Sequence, residues 1–103
     1  MVIVKRDGRR ELFQREKIVN GVLRACQKRP ISIKEIEEIA DSVEKELQNT
    51  MEKEIDSKKI GKMVMIRLKK LDDVAYVRFA SVYKQFKDIN TFMEELNKLM
   101  NER

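Results

Sequence analysis

Residues 2–13 read Val2-Ile3-Val4-Lys5-Arg6-Asp7-Gly8-Arg9-Arg10-Glu11-Leu12-Phe13, and this stretch decides the fold. Two short β-prone runs flank Asp7-Gly8, whose residues both tolerate positive φ, so the segment reads as a hairpin. A two-residue turn pairs Arg6 with Arg9, Lys5 with Arg10, Val4 with Glu11 and Ile3 with Leu12. Four cations then crowd around the tip. Like charges placed directly opposite one another destabilise a hairpin. A sequence that accepts this repulsion has an anion to place there.

Beyond the hairpin the pattern turns helical. Ile18, Val19, Val22, Leu23, Ala25 and Cys26 recur at spacings of three and four from Arg15 to Lys28, and Pro30 ends that segment. Ser32 and Glu35 form a capping box for a second helix with Ile33, Ile36, Ala40, Val43 and Leu47 on its buried stripe. Ile55 can add a strand to the hairpin, and Ser57 is placed to cap a third helix with Ile60, Val64, Leu68 and Leu71 inside. Asp72-Asp73 is suited to start a fourth helix over about Val74 to Phe86, and Thr91 with Glu94 opens a fifth carrying Phe92, Leu96 and Leu99. The fold class expected is α+β, mostly helical, with a small sheet lying over a helical bundle.

The chain has 103 residues, room for one domain. It has no histidine and one cysteine, which removes histidine-based catalysis, an internal disulfide and a cysteine-rich zinc site. Cys26 reads as a small core residue. No apolar run approaches the ~18 residues of a membrane span, and the N-terminus lacks the apolar core of a signal peptide, so the expected location is cytoplasmic with no membrane partner. Residues 1–30 carry nine cations and three anions, while the remainder carries 14 and 15. The basic excess therefore reads as local to the first segment, where it attracts phosphate-bearing partners. No helix reads as carrying a dense basic recognition face, and the aromatics of the last two helices read as core or as an oligomer seam.

The glycines are Gly8, Gly21 and Gly61, so no glycine-rich phosphate loop exists. Phosphate binding would fall to side chains. Lys5 and Arg6 on the hairpin and Lys17 in the first turn of the next helix are the candidates, the last helped by the helix N-terminus. Lys5 and Arg6 point to opposite faces of a strand, so both meet one phosphate only with local twist or bulging.

Val4-Lys5-Arg6-Asp7-Gly8 followed by Glu11 and Lys17-Ile18 resembles the ATP-cone, a small nucleotide-sensing domain. Arg9-Arg10-Glu11, Phe13, Arg15-Glu16-Lys17-Ile18, Ala25-Cys26, Lys28-Arg29-Pro30, Ile60-Gly61 and the run Leu71-Asp72 with Val74 through Tyr83 resemble the NrdR repressor family, which regulates ribonucleotide reductase genes. The resemblance covers nearly all of residues 1–103 and implies one ATP-cone domain: four main helices capped by a three-stranded sheet that begins with the hairpin.

The resemblance further implies ATP or dATP as the ligand, with or without Mg²⁺, and a homo-oligomer whose assembly the nucleotide controls. It assigns Lys5 and Arg6 to phosphate, Glu11 and Lys17 to base or sugar and phosphates, and Ile3 or Val4 to the adenine. Ser57 matches a nucleotide-contacting hydroxyl position, Gln14 stands where Asn or Asp is usual, and a late lysine corresponds to Lys84 or Lys87. The family's DNA contact and its zinc belong to an N-terminal ribbon with two Cys-x-x-Cys pairs, which this chain lacks. The chain is thus expected to be an excised regulatory domain or a stand-alone cone, and not an enzyme. The rival reading is a protein-interaction domain that has lost its nucleotide site.

Overall fold

The computed structural model describes residues 1–83 together with 93, 94, 96–98 and 101. Three strands, β1 (Val2–Val4), β2 (Arg10–Leu12) and β3 (Glu54–Asp56), and four helices, α1 (Arg15–Ala25), α2 (Ile33–Thr50), α3 (Ser57–Leu71) and α4 (Asp73–Tyr83), follow in the order β1-β2-α1-α2-β3-α3-α4. The sheet order is β2-β1-β3, with β2 antiparallel and β3 parallel to the central strand. The expected α+β class, the N-terminal hairpin and the third strand at Ile55 are all present. Residues 93, 94, 96–98 and 101 are helical as well. Phe86, Phe92 and Leu99 lie outside the described residues, as do Lys84 and Lys87.

The hairpin register differs from the expected one. Val2 pairs with Leu12, Ile3 with Glu11 and Val4 with Arg10. Within the hairpin only Gly8 takes positive φ, at 86°, while the Lys5 carbonyl accepts from the Gly8 amide at 2.9 Å and the Lys5 amide donates to the Arg9 carbonyl at 2.8 Å. The connection is therefore three residues, Arg6-Asp7-Gly8, with the glycine in the left-handed position that this loop length requires. A one-residue slip sends every side chain of one strand to the other face. Here it brings Ile3, Lys5 and Glu11 together on the face that looks into the helices.

Burial drives the rest. Ile3 and Ile55 sit side by side on adjacent strands and are both buried against the bundle. Ile18, Val22 and Ala25 of α1, Ile36, Ile39, Ala40, Val43 and Leu47 of α2, Val64 and Leu68 of α3, and Ala75, Tyr76 and Ala80 of α4 complete one continuous core. Cys26 belongs to that core, and burial pushes its thiol pKa up. Ile33 was expected inside and is exposed, because it occupies the first position of α2 beyond the edge of its buried stripe.

Helix ends follow their side chains. Ser32 and Glu35 form the expected capping box. Asp72 accepts from the Ala75 amide at 2.9 Å, so it starts α4 as expected, and it also holds the Arg29 guanidinium at 3.0 Å. Ser57 is not a cap: Asp56 takes that role by accepting from the Lys58 amide, which leaves Ser57 as the first residue of α3.

The charges sort by helix in a way that a running sum along the chain hides. Across Ile33–Thr50, α2 holds six carboxylates and two lysines, whereas Ser57–Leu71 of α3 holds six cations and no carboxylate. In a tally of residues 31–103 the acids of α2 offset most of the α3 cations, and the expectation that no helix carries a dense basic face is corrected. Part of this opposition is used internally. Arg67 of α3 donates to Glu46 at 2.7 Å and to Ser42 at 2.9 Å, and Arg15 of α1 reaches Asp41 at 2.7 Å and also Glu37. Among the described residues, no helix is long and apolar enough to cross a membrane.

α2 ends at Met51 in the left-handed conformation, φ 58°, with its side chain exposed. That backbone costs a residue with a Cβ roughly 1 kcal/mol that glycine does not pay. Met51→Gly should raise stability by about 0.5–1 kcal/mol and the melting temperature by a few degrees, read by thermal denaturation.

Candidate functional site

A cavity of about 190 Å³ opens between the inner face of the sheet and the helices α1, α3 and α4. Its walls are apolar: Ile3 from β1, Phe13 after β2, Ile18 from α1, Ile60 and Val64 from α3, and Phe79 with Tyr83 from α4. The Phe79 and Tyr83 rings are nearly parallel, 13° apart in plane and 5.9 Å between centroids. Polar groups gather among the lining residues: Lys5, Glu11, Gln14, Lys17 and Ser57.

The electrostatics of that cluster are uneven. The Lys17 ammonium donates to Glu11 Oε2 at 2.8 Å, and the Lys5 ammonium stands 3.7 Å from the same oxygen. One carboxylate thus serves two cations. The hydrogen bond from Lys17 is the main cause that holds the Glu11 carboxyl below its ordinary value, with the Lys5 and Lys17 charges adding to it against partial desolvation. The other cations at the hairpin tip have partners of their own. Arg9 pairs with Asp7 at 2.6 Å and Arg10 with Glu54 at 2.7 Å, both outside the cavity. Within the cavity lining, the excess positive charge is therefore concentrated at Lys5 and Lys17.

Arg6 does not line the cavity. Its guanidinium donates to the Tyr83 carbonyl and lies 5.7 Å from the centre of the Tyr83 ring. Val4, paired with Arg10, is on the opposite face of the sheet from Ile3 and is also outside the lining. The structure thus gathers Ile3, Lys5, Glu11, Gln14, Lys17 and Ser57, and separates Val4 and Arg6 from them. Lys84 and Lys87 lie outside the described residues.

Local folding explains these positions. Gln14 is the N-cap residue of α1 yet makes no side-chain capping bond, so its side-chain amide is left at the cavity; its carbonyl takes the Lys17 amide at 3.1 Å. Lys17 follows three residues on. Asp56 as the cap of α3 leaves the Ser57 hydroxyl to the cavity.

Sequence reasoning missed the aromatic wall. Tyr83 was assigned to core or seam, yet it is half-buried at the cavity, with its hydroxyl donating to the Ser57 carbonyl. Its ring lies directly on Gly61, where an added Cβ would overlap the ring atoms. The glycine is thus required by close approach, and the pairing of Gly61 with an aromatic at the C-terminal end of the next helix was the available signal.

Lys5, Phe79 and Tyr83 also border a larger cavity of about 540 Å³ that extends to Arg24 and Arg78. Arg78 is held there by the Gln27 carbonyl at 2.7 Å. Chemically, the first cavity offers an apolar slot for a flat ring, with two lysines and a helix N-terminus for an anionic group attached to it.

Residues 1–89 match the ATP cone domain family. Over all 103 residues the chain is 57% identical to the transcriptional repressor NrdR of Acetivibrio thermocellus and covers 68% of that protein. It is 58% identical over 103 residues to the transcriptional repressor NrdR of Caldicellulosiruptor saccharolyticus and 57% identical to that of Caldicellulosiruptor bescii, covering 67% of each.

Two measurements probe this geometry. Gly61→Ala should destabilise the protein by about 1–3 kcal/mol through overpacking. In a Tyr83→Ala background the same change should cost far less, so the cycle by chemical denaturation reads the contact directly. Separately, Lys17→Ala should return the Glu11 carboxyl toward 4.5 in a carboxyl-carbon NMR titration. Because the folded value is depressed, the contribution of Glu11 to stability is present above its unfolded value and lost as pH falls through the folded one.

Proposed function

The chain belongs to the ATP-cone family and, within it, to the NrdR transcriptional repressors, and from that premise we propose that its cavity senses adenine nucleotides, ATP or dATP. The single observation that carries this reading is the sharing of Glu11 by Lys5 and Lys17 at an apolar slot.

Clefts that enclose a whole drug-sized ligand measure about 300–1,000 Å³. A slot of about 190 Å³ suits one base, with the phosphates left beside the lysines. In this reading adenine enters between Ile3 and the Phe79–Tyr83 wall, and the polyphosphate takes Lys5 and Lys17 from Glu11. The freed Glu11 carboxylate and the Ser57 hydroxyl then serve the sugar or the base as acceptors. Gln14 lends its amide at the helix N-terminus. Arg6 joins the phosphates by leaving the Tyr83 carbonyl, and one of Lys84 or Lys87 completes the set. Mg²⁺ accompanies the triphosphate as part of the ligand.

The role is regulatory, with no catalytic step. Each bound nucleotide favours a different homo-oligomer, a population shift driven by differential affinity for the assembled states. ATP and dATP differ by one 2′-hydroxyl, and a single hydrogen bond contributes about 0.5–1.5 kcal/mol net. That difference is small, so assembly amplifies it. The zinc of the family belongs to its ribbon cysteines, whereas Cys26 here packs in the core.

The test is calorimetric titration of the chain with dATP, ATP and GTP in the presence of Mg²⁺, with mass followed by light scattering. Adenine-selective binding with a change in mass is expected. Lys5→Ala with Lys17→Ala should lower affinity at least ~100-fold, since two charge-assisted hydrogen bonds are lost. Absence of binding by all three nucleotides would overturn the reading.

A further inference from the structure

The outer face of α3 carries a lysine stripe that the cavity does not use. Each residue turns a helix by about 100°, and on that spacing Lys58, Lys69, Lys62, Lys59 and Lys70 fall within an arc of about 120°. The stripe runs about 18 Å along the helix at 1.5 Å per residue. Ser57, Ile60, Gly61 and Val64, which line the cavity, occupy the opposite side of the same helix.

Lys58, Lys62 and Lys70 are exposed, and among the described residues no carboxylate pairs with them. Lys59 is held by Glu52 at 3.1 Å, and the Lys69 ammonium lies 5.8 Å from the centre of the Tyr76 ring. The arginine of the helix, Arg67, is turned away and engaged by Glu46, Ser42 and the Met63 carbonyl.

Five like charges gathered on one side of a helix that holds no acid repel one another. Lysine presents compact point charges suited to tracking a phosphate backbone and carries no bidentate base readout. We propose that the outer face of α3 is a sequence-independent contact for the phosphate backbone of duplex DNA. Lys58, Lys62 and Lys70 make the contacts, and Lys59 and Lys69 reinforce the field. This rests on membership of the repressor family but not on the nucleotide site, because the stripe and the cavity are on different sides of α3.

The experiment is fluorescence anisotropy of a labelled random-sequence DNA duplex titrated with the protein across a salt series, without nucleotide. Each phosphate contact contributes about 0.9 to the slope of log K against log salt. The variant Lys58→Gln, Lys62→Gln, Lys70→Gln should flatten that slope by nearly three and weaken binding at least ~10-fold at low salt. A control that removes the same charge elsewhere, Arg9→Gln, Arg10→Gln, Arg24→Gln, should lose less than half as much. Circular dichroism and nucleotide titration of the stripe variant should match the parent, so failure here and failure of the nucleotide reading are told apart. No duplex binding by the parent would overturn the proposal, as would equal losses in the two variants. Equal or tighter stripe-dependent binding of a polyglutamate peptide would overturn it in favour of an acidic protein partner.

Discussion

Ile3 and Ile55 are the fixed point of this structure. They lie beside each other on neighbouring strands, with the flanking residues of both strands more exposed, and both are buried under the sheet. Burial of a single central side chain per strand leaves each strand only one register in which its apolar residue faces the bundle. From that register the rest follows. Glu11 is opposite Ile3 and is carried to the inner face, Lys5 comes two residues after Ile3 on the same face, and Arg10 is sent outward to Glu54. A three-residue sheet strand is short, and it holds its place because the helices α1 and α3 complete the surface beneath it.

The same register divides the charges. Outward, Arg9 and Arg10 are each matched by a carboxylate, Asp7 and Glu54, and exposed pairs of this kind contribute little to stability. Inward, two ammonium groups converge on one carboxylate beside apolar walls. Their mutual repulsion is stronger there than in open water, because part of the surroundings is protein. The fold tolerates the arrangement because α1 and α3 are anchored elsewhere, by Arg15 on α2 and by Arg67 on α2. α2 is thus the acidic counterpart that lets its neighbours be basic.

Much of this was legible in the residues themselves. The capping box at Ser32, the role of Asp72 and the third strand at Ile55 each depend on local chemistry that leaves a signature within a few positions. The hairpin register did not, because Asp-Gly suits a two-residue turn as well as the last part of a three-residue one, and Ile3 faces the bundle in either; the registers differ in placing Glu11 instead of Leu12 opposite it, with Leu12 left exposed. Phe79 and Tyr83 were legible as apolar but not as a cavity wall. α4 is apolar on more than one side, and periodicity alone does not tell a packed ring from one beside a void. Val4 and Arg6 stood beside Lys5 as positions that the family resemblance implies, and the alternation along a strand, which already set Arg6 on the opposite face from Lys5, separates them from the cavity. The α3 stripe was concealed by arithmetic, since its cations are balanced by the carboxylates of the helix before it.

The carboxylate of Glu11 has a consequence for selectivity. It is tethered beside Lys5 and Lys17, and groups joined by a short chain face each other at effective concentrations of ~mM or more. Any incoming anion exchanges with a resident one instead of filling an empty site. A singly charged ion gains nothing by such an exchange, because it replaces like with like. A polyphosphate brings more charge than it displaces, so the built-in counter-ion acts as a valence filter on what the two lysines will hold.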